Sequence, residues 1–313
     1  PKLEATYKPS HNPHEFYLWD YPKKTGRALL CMSTPGGETQ LLVTDITGAR
    51  RGKFVELDKT LFPGMEGSLH SLTVSADGSR GYVSHLTGGY MTIDTSEFAE
   101  EKRKPAVRVL TPPENAPSWP GPGAHSSTPI FGTDYVLVTD EVYGDALKAL
   151  GGHGCPWGWT RIIDNGDPRK PKVVADYRIE QNHQDYCTTD PPRPSSSYSA
   201  HNPTLTKNLA FISWHAGGLQ AIDVSNPRKP VQMAQFVPEP LPYVLQEDPA
   251  LSAGQDKVVV WSFPIIKDGL VYVVDLRNGL YILDYKGPFD REVKRVDFLE
   301  GNSNLEDGRR FGS

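Results

Sequence analysis

The 313-residue chain carries 38 acidic and 33 basic residues, a net charge of −5 with both signs mixed along its length, and so lacks the basic stripe of a nucleic-acid binder. No apolar run approaches the ~20 residues that a membrane-spanning helix needs. With 29 glycines and 28 prolines, turn punctuation recurs every few residues, which favours many short strands over long helices.

The chain opens at Pro1 without a hydrophobic leader. Its start reads as processed or truncated, with room upstream for a removed signal peptide or further repeats. From there a hairpin pattern restarts five times, at His14-Glu15-Phe16, His70-Ser71-Leu72, His125-Ser126-Ser127, His201-Asn202-Pro203 and Trp261-Ser262-Phe263. Each restart leads through an apolar strand and a turn to a strand ending in aspartate: Asp45, Asp94, Asp164, Asp223 and Asp284. Asp77-Gly78, Asp268-Gly269 and Asn278-Gly279 are hairpin turns by residue type. A fourth strand is expected after each aspartate, for example Lys172–Tyr177 and Val231–Phe236. The third unit carries an insertion, 142–158, expected to form a loop with a short helical turn.

Four antiparallel strands at this period predict an all-β fold, a β-propeller of four-stranded blades. One domain, 1–313, would hold blades at about 14–57, 70–110, 125–178, 201–237 and 261–298. The five visible blades form a five-bladed ring, or belong to a six- or seven-bladed one. Of the three cysteines, Cys31 sits in an apolar run and is expected as a buried thiol. Cys155 and Cys187 lie in Gly/Pro-rich loops, where they are either a disulfide of an extracytoplasmic protein or two separate thiols.

The segments LLVTDIT (41–47), TRIIDNGDPRKP (160–171) and LQAIDVSNPRKP (219–230) resemble the LVIVD-type repeat of bacterial propellers, and the match extends over most of the chain. The resemblance is closest to secreted actinobacterial members and, more distantly, to the selenium-binding protein/methanethiol oxidase propellers. It implies a location outside the cytoplasm and, from the distant relatives, copper-associated chemistry.

In a blade, the start of the innermost strand lies beside the end of its antiparallel neighbour. The strand openers His14, His70, His125, His201 and Trp261 should therefore meet the strand closers His85, Asp140, Glu141, His215 and Asp275 on one face of the channel. Three or four imidazoles with an open position suit a transition metal, copper or iron ahead of zinc. Asp140, Glu141 and Asp275 would then orient the rings by accepting their second N–H. Two explanations of the repeated histidine stay open: a metal-binding site, or a repeat residue that hydrogen-bonds the neighbouring blade. His11, His153 and His183 are expected in loops. If the site is catalytic, an oxidoreductase acting on a small molecule is expected. The alternative is a non-catalytic propeller that binds a protein partner through the loops 112–124, 143–158 and 178–198. Neither nucleic acid nor a transmembrane segment enters either view.

Overall fold

The computed structural model describes residues 2–24, 26–34, 39–65, 67–119, 123–142, 155–189, 197–249, 252 and 257–311. Most of the insertion in the third unit, including His153, lies outside the described residues, as do parts of the three loops named above.

The chain forms five four-stranded antiparallel sheets arranged as a five-bladed β-propeller. The first holds β1 (Phe16–Asp20), β2 (Ala28–Ser33), β3 (Leu41–Asp45) and β4 (Val55–Thr60). The second holds β5 (Leu69–Val74), β6 (Arg80–His85), β7 (Gly89–Asp94) and a two-residue β8 (Arg108–Val109). The third runs through β9 (Ala124–Pro129), β10 (Tyr135–Asp140), β11 (Thr160–Asp164) and β12 (Lys172–Tyr177). The fourth runs through β13 (Pro203–Leu205), β14 (Leu209–Ser213), β15 (Leu219–Asp223) and β16 (Val231–Phe236). The fifth has β17 (Ile265–Lys267), β18 (Leu270–Asp275), β19 (Gly279–Leu283) and β20 (Phe298–Leu299).

Apolar side chains interlock between successive blades, since each central strand is covered on both faces. Tyr17, Trp19 and Leu41 meet Leu69, Val83 and Met91; Tyr90 meets Val136 and Val138. Leu137 and Ile162 meet Ala210 and Ile212, and Leu209 and Phe211 meet Val271 and Val273. Each such buried large aliphatic or aromatic side chain contributes roughly 1.5–3 kcal/mol. Cys31 lies in the first of these layers as a free thiol, and burial pushes its pKa up to about 12.

The aspartate that marks the repeat is a turn cap in four of the five blades. Its Oδ1 accepts the backbone N–H two residues on: Thr47 to Asp45 (2.8 Å), Ser96 to Asp94 (2.9 Å), Gly166 to Asp164 (3.2 Å) and Ser225 to Asp223 (2.8 Å). Gly78 is required for a different reason. Its φ is +75°, and an added Cβ would stand 2.3 Å from the buried Trp19 ring of the neighbouring blade. Gly78→Ala is therefore expected to cost about 2 kcal/mol in a urea melt. An unchanged midpoint would contradict this packing.

The fifth blade departs from expectation. In blades one to four strand order follows the chain, but β20 pairs with β17 on the axial side and leaves β19 as the outer edge. After Asp284 the chain enters Gly287-Pro288 and a short helix, Asp290–Val293, so no outer strand follows there. Leu280 and Ile282 on β19 are consequently 58% and 55% exposed. The tail returns to the first blade and joins the ring. Leu18 N–H donates to Asn302 O (2.9 Å), Asn304 N–H donates to Leu18 O (3.2 Å), and Arg309 pairs with Asp20. The same tail closes a cavity of ≈ 100 Å³ at that end of the axis, lined by Tyr17, Thr73, Thr128, Leu205 and Glu300. Among the described residues no helix is long and apolar enough to cross a membrane.

Candidate metal centre on the propeller axis

At the opposite end of the inner strands, the histidines form a continuous row. Ring centroids are 4.5 Å apart from His14 to His70, 3.9 Å from His70 to His125, 4.3 Å from His125 to His201 and 5.0 Å from His201 to His215. Two of these positions depend on a local irregularity. Leu69 pairs with His85 and Ser71 with Ser84, so His70 is an extra residue; Ala124 pairs with Asp140 and Ser126 with Thr139, so His125 is another. Such bulges re-aim one side chain without disturbing the alternation on either side.

Glu141 is the hub of the buried part. Its Oε2 lies 3.2 Å from His125 Nε2, while its Oε1 lies 3.1 Å from His201 Nε2 and 3.5 Å from His215 Nε2. Burial works to raise the Glu141 carboxyl, but His201 and His125 hold it well below the usual carboxylate range. Burial likewise works against the charge on His201, and Glu141 together with the Trp261 carbonyl raises its pKa above the ordinary value. His201 and Glu141 are thus an ion pair. His125 is the reverse case, pushed down to about 4 by burial with Glu141 opposing, and is a neutral ring.

The outer nitrogens are held by the scaffold. His70 Nδ1 donates to His125 O (3.2 Å) and His201 Nδ1 donates to Trp261 O (2.6 Å), which turns both Nε2 atoms toward the channel. With Nδ1–H so fixed, the neutral His70 accepts from His14 Nε2–H at 2.8 Å. His215 Nδ1 hydrogen-bonds Ser197 Oγ (2.7 Å), and its ring stacks on Trp261 at 3° between planes. Its backbone is in the left-handed region, φ +35°, a strained conformation of the kind that accumulates at sites. Ser199 fixes Glu141 from both sides, donating to Asp140 O (3.0 Å) and accepting from Val142 N–H (2.8 Å). Asn182 ties the supporting loops together through Pro156 O and Tyr198 O, each at 2.7 Å, and a Cys155–Cys187 disulfide links them covalently.

Three expected members stand elsewhere, for one shared reason. Ser84, Thr139 and Ser213 occupy equivalent positions opposite Ser71, Ser126 and Asn202. His85, Asp140 and Trp214 follow them by one residue; Glu141 and His215 follow by two. A one-residue difference in a strand turns the side chain to the other face. His85 accordingly packs against Gln40 (Nε2–Nε2 3.3 Å) and Leu86 O (3.0 Å). Asp140 pairs with Arg161, whose guanidinium lies 4.2 Å from the Trp119 ring and 4.6 Å from that of Trp159. Burial pushes Asp140 up to about 6, against the pull of Arg161. Asp275 caps a turn, accepting from Val259 N–H (2.8 Å) and Arg277 N–H (2.8 Å). Trp261 precedes β17 and contributes through its carbonyl and its ring.

One member was not anticipated. Glu15, next to His14, reaches into the channel beside His70 and His125, and burial pushes its pKa up to about 7 with His201 opposing. Its position after the first opener, where the other units have Ser71, Ser126 or Asn202, is the only trace of it in the sequence.

Two groups of donor atoms lie within 4.8 Å of one another: Glu15, His70 and His125, and His125, Glu141 and His201. Each has the two-histidine, one-carboxylate composition that leaves positions open on a bound ion. A tetrahedral ion with ~2.0–2.1 Å bonds places its donors about 3.3 Å apart. The His125–Glu141 and Glu141–His201 separations of 3.2 and 3.1 Å fit that spacing. Glu141 Oε1 is also buried without an aligned hydrogen bond, an orphaned acceptor that a cation would satisfy.

No family model matches the chain, and no curated protein matches it. Solved structures do. A protein from Lactobacillus plantarum aligns with a TM-score of 0.55 at 12% identity, covering 88% of this chain and 67% of its own. The β-propeller domain of Cps50 (Swd1) from Myceliophteria thermophila gives 0.43 at 12% identity, over 85% of this chain and 69% of that one. Sqt1 from Chaetomium thermophilum gives 0.44 at 12% identity, over 90% and 60%. The first of these likenesses supports the fold and nothing finer: the chain is a β-propeller with a buried histidine–glutamate cluster on its axis.

Proposed function

We propose that the axial cluster binds a transition-metal ion, copper or iron ahead of zinc, and serves an oxidoreductase that acts on a small molecule outside the cytoplasm. The observation that carries this is the buried convergence of His125, Glu141 and His201. Cu²⁺ heads the divalent affinity order, and a two-histidine, one-carboxylate set is iron-oxygenase chemistry. When bound, such an ion supplies one-electron exchange with a substrate or with dioxygen. The chain's own residues orient the donors: His125 O and Trp261 O hold the outer nitrogens of His70 and His201, and Ser199 holds Glu141. Trp261 covers His201 and His215 and keeps water from their faces. The disulfide supports an oxidising compartment, and the resemblance to LVIVD-type repeats supports the same location.

Metal analysis of protein purified without chelator and reconstituted with Cu²⁺, Fe²⁺ or Zn²⁺ tests the proposal. About one ion per chain is expected, lost in a folded His125→Ala/His201→Ala variant. Wild-type protein that takes up none of the three ions would overturn it. That result would favour the second reading, a non-catalytic ring that docks a protein partner, for which the open apolar edge at Leu280 and Ile282 speaks.

A further inference from the structure

We infer that the two donor triads are successive stations for one ion, an outer loading site and an inner resident site that share His125. The inference rests on the metal-binding proposal above. His14 is exposed at the channel rim and Glu15 is part-buried, whereas His70, His125, Glu141, His201 and His215 are all buried. An ion arriving from solvent therefore meets His14, Glu15 and His70 first.

The two stations cannot both be filled. His125 belongs to each triad, and its Nδ1 is engaged by Ser126 Oγ at 2.9 Å, so Nε2 is the one nitrogen it offers. A single lone pair serves a single ion. His125 is thus the point of transfer, lying 3.9 Å by ring centroid from His70 on the outer side and 4.3 Å from His201 on the inner side. The outer station can add His14 as a further donor, since its Nε2 already lies 2.8 Å from His70 Nε2. The inner one can add His215, whose Nε2 lies 3.5 Å from Glu141. The inner station is also the more rigid, with Glu141 gripped by Ser199 and His201 by Trp261. An ion should accordingly be captured outside and reside inside.

The test is stopped-flow uptake of Cu²⁺ by the metal-free full chain, read by the absorbance of the loaded protein, with stoichiometry measured at equilibrium. His14→Ala, at an exposed position, and Glu15→Gln, nearly isosteric, both spare the fold. Each is expected to slow uptake roughly tenfold, because a rim charge or donor governs capture, while final stoichiometry and spectrum stay as in wild type. Glu141→Gln is expected to keep fast uptake but yield copper that a chelator strips within the mixing time. Unchanged uptake rates in both rim variants would overturn the loading role and leave the metal site itself standing. Loss of the final stoichiometry in Glu15→Gln would also overturn it, by placing Glu15 in the resident site. Wild-type protein that binds no Cu²⁺, Fe²⁺ or Zn²⁺ would remove the metal-binding proposal, and the loading path with it.

Discussion

Glu141→Ala should destabilise the metal-free protein by about 3–5 kcal/mol at neutral pH, the range for breaking a buried ion pair from one side. The carboxylate faces three imidazoles, and its pair with His201 lies out of water. Removing it leaves His201 either charged without a counterion or forced to give up its proton. The His125 Nε2–H loses its acceptor at the same time, and an unmade buried hydrogen bond adds to the cost. Glu141→Gln keeps the volume and one acceptor oxygen, so it should lose less than half as much. Urea melts of both variants in the presence of chelator would measure this. If Glu141→Ala melts like wild type, Glu141 is not the hub of the cluster.

Acid should weaken the metal-free fold through His125 before ordinary carboxylate protonation dominates. Its folded pKa is about 4, against ~6.5 in an unfolded chain. Between those values the unfolded state binds a proton that the folded state refuses, so stability falls as pH drops through this window. The difference corresponds to about 3 kcal/mol between pH 6.5 and 4. Burial lowers His70 and His215 as well, and both add to the acid side with the same sign. His201 and Glu15 have the opposite sign. Their folded pKa values are raised, so the stability they contribute at low pH is lost as pH rises, for Glu15 from about 4.5 to about 7. Stability of the metal-free protein should therefore pass through a maximum close to pH 6.5. Comparing urea midpoints of wild type and His125→Asn from pH 7 to pH 4.5, in chelator, isolates the His125 share. Parallel curves would show that His125 takes its proton as readily in the folded protein as in the unfolded chain.

Much of this architecture was legible in one dimension. The spacing of hairpin turns and strand-ending aspartates predicts five propeller blades, and the aspartates do their work locally, each capping the turn two residues ahead. The histidine openers were legible for the same reason: a residue that recurs at one phase of a radial repeat is carried to one end of the axis. Matching strand closers by letter proved the weaker guide. Ser-His in the second blade and Ser-Trp-His in the fourth look alike on paper, yet the single intervening Trp214 puts His215 on the channel and His85 between the blades. Aligning the units on Ser84, Thr139 and Ser213 would have separated Glu141 from Asp140.

The sequence by itself determined what depends on local chemistry and on period: the strands, their turns, the blade count and the ring of histidines. Only the tertiary structure decided which of two adjacent carboxylates faces the metal ligands, because strand alternation is counted from bulges that no residue type announces. It also decided that Glu15 joins the site, and that the fifth blade takes its extra strand on the axial side. Those outcomes depend on which distant segment lies alongside. The repeat brings the histidines to the axis, whereas the bulges and the packed neighbours decide which carboxylate atoms their nitrogens meet.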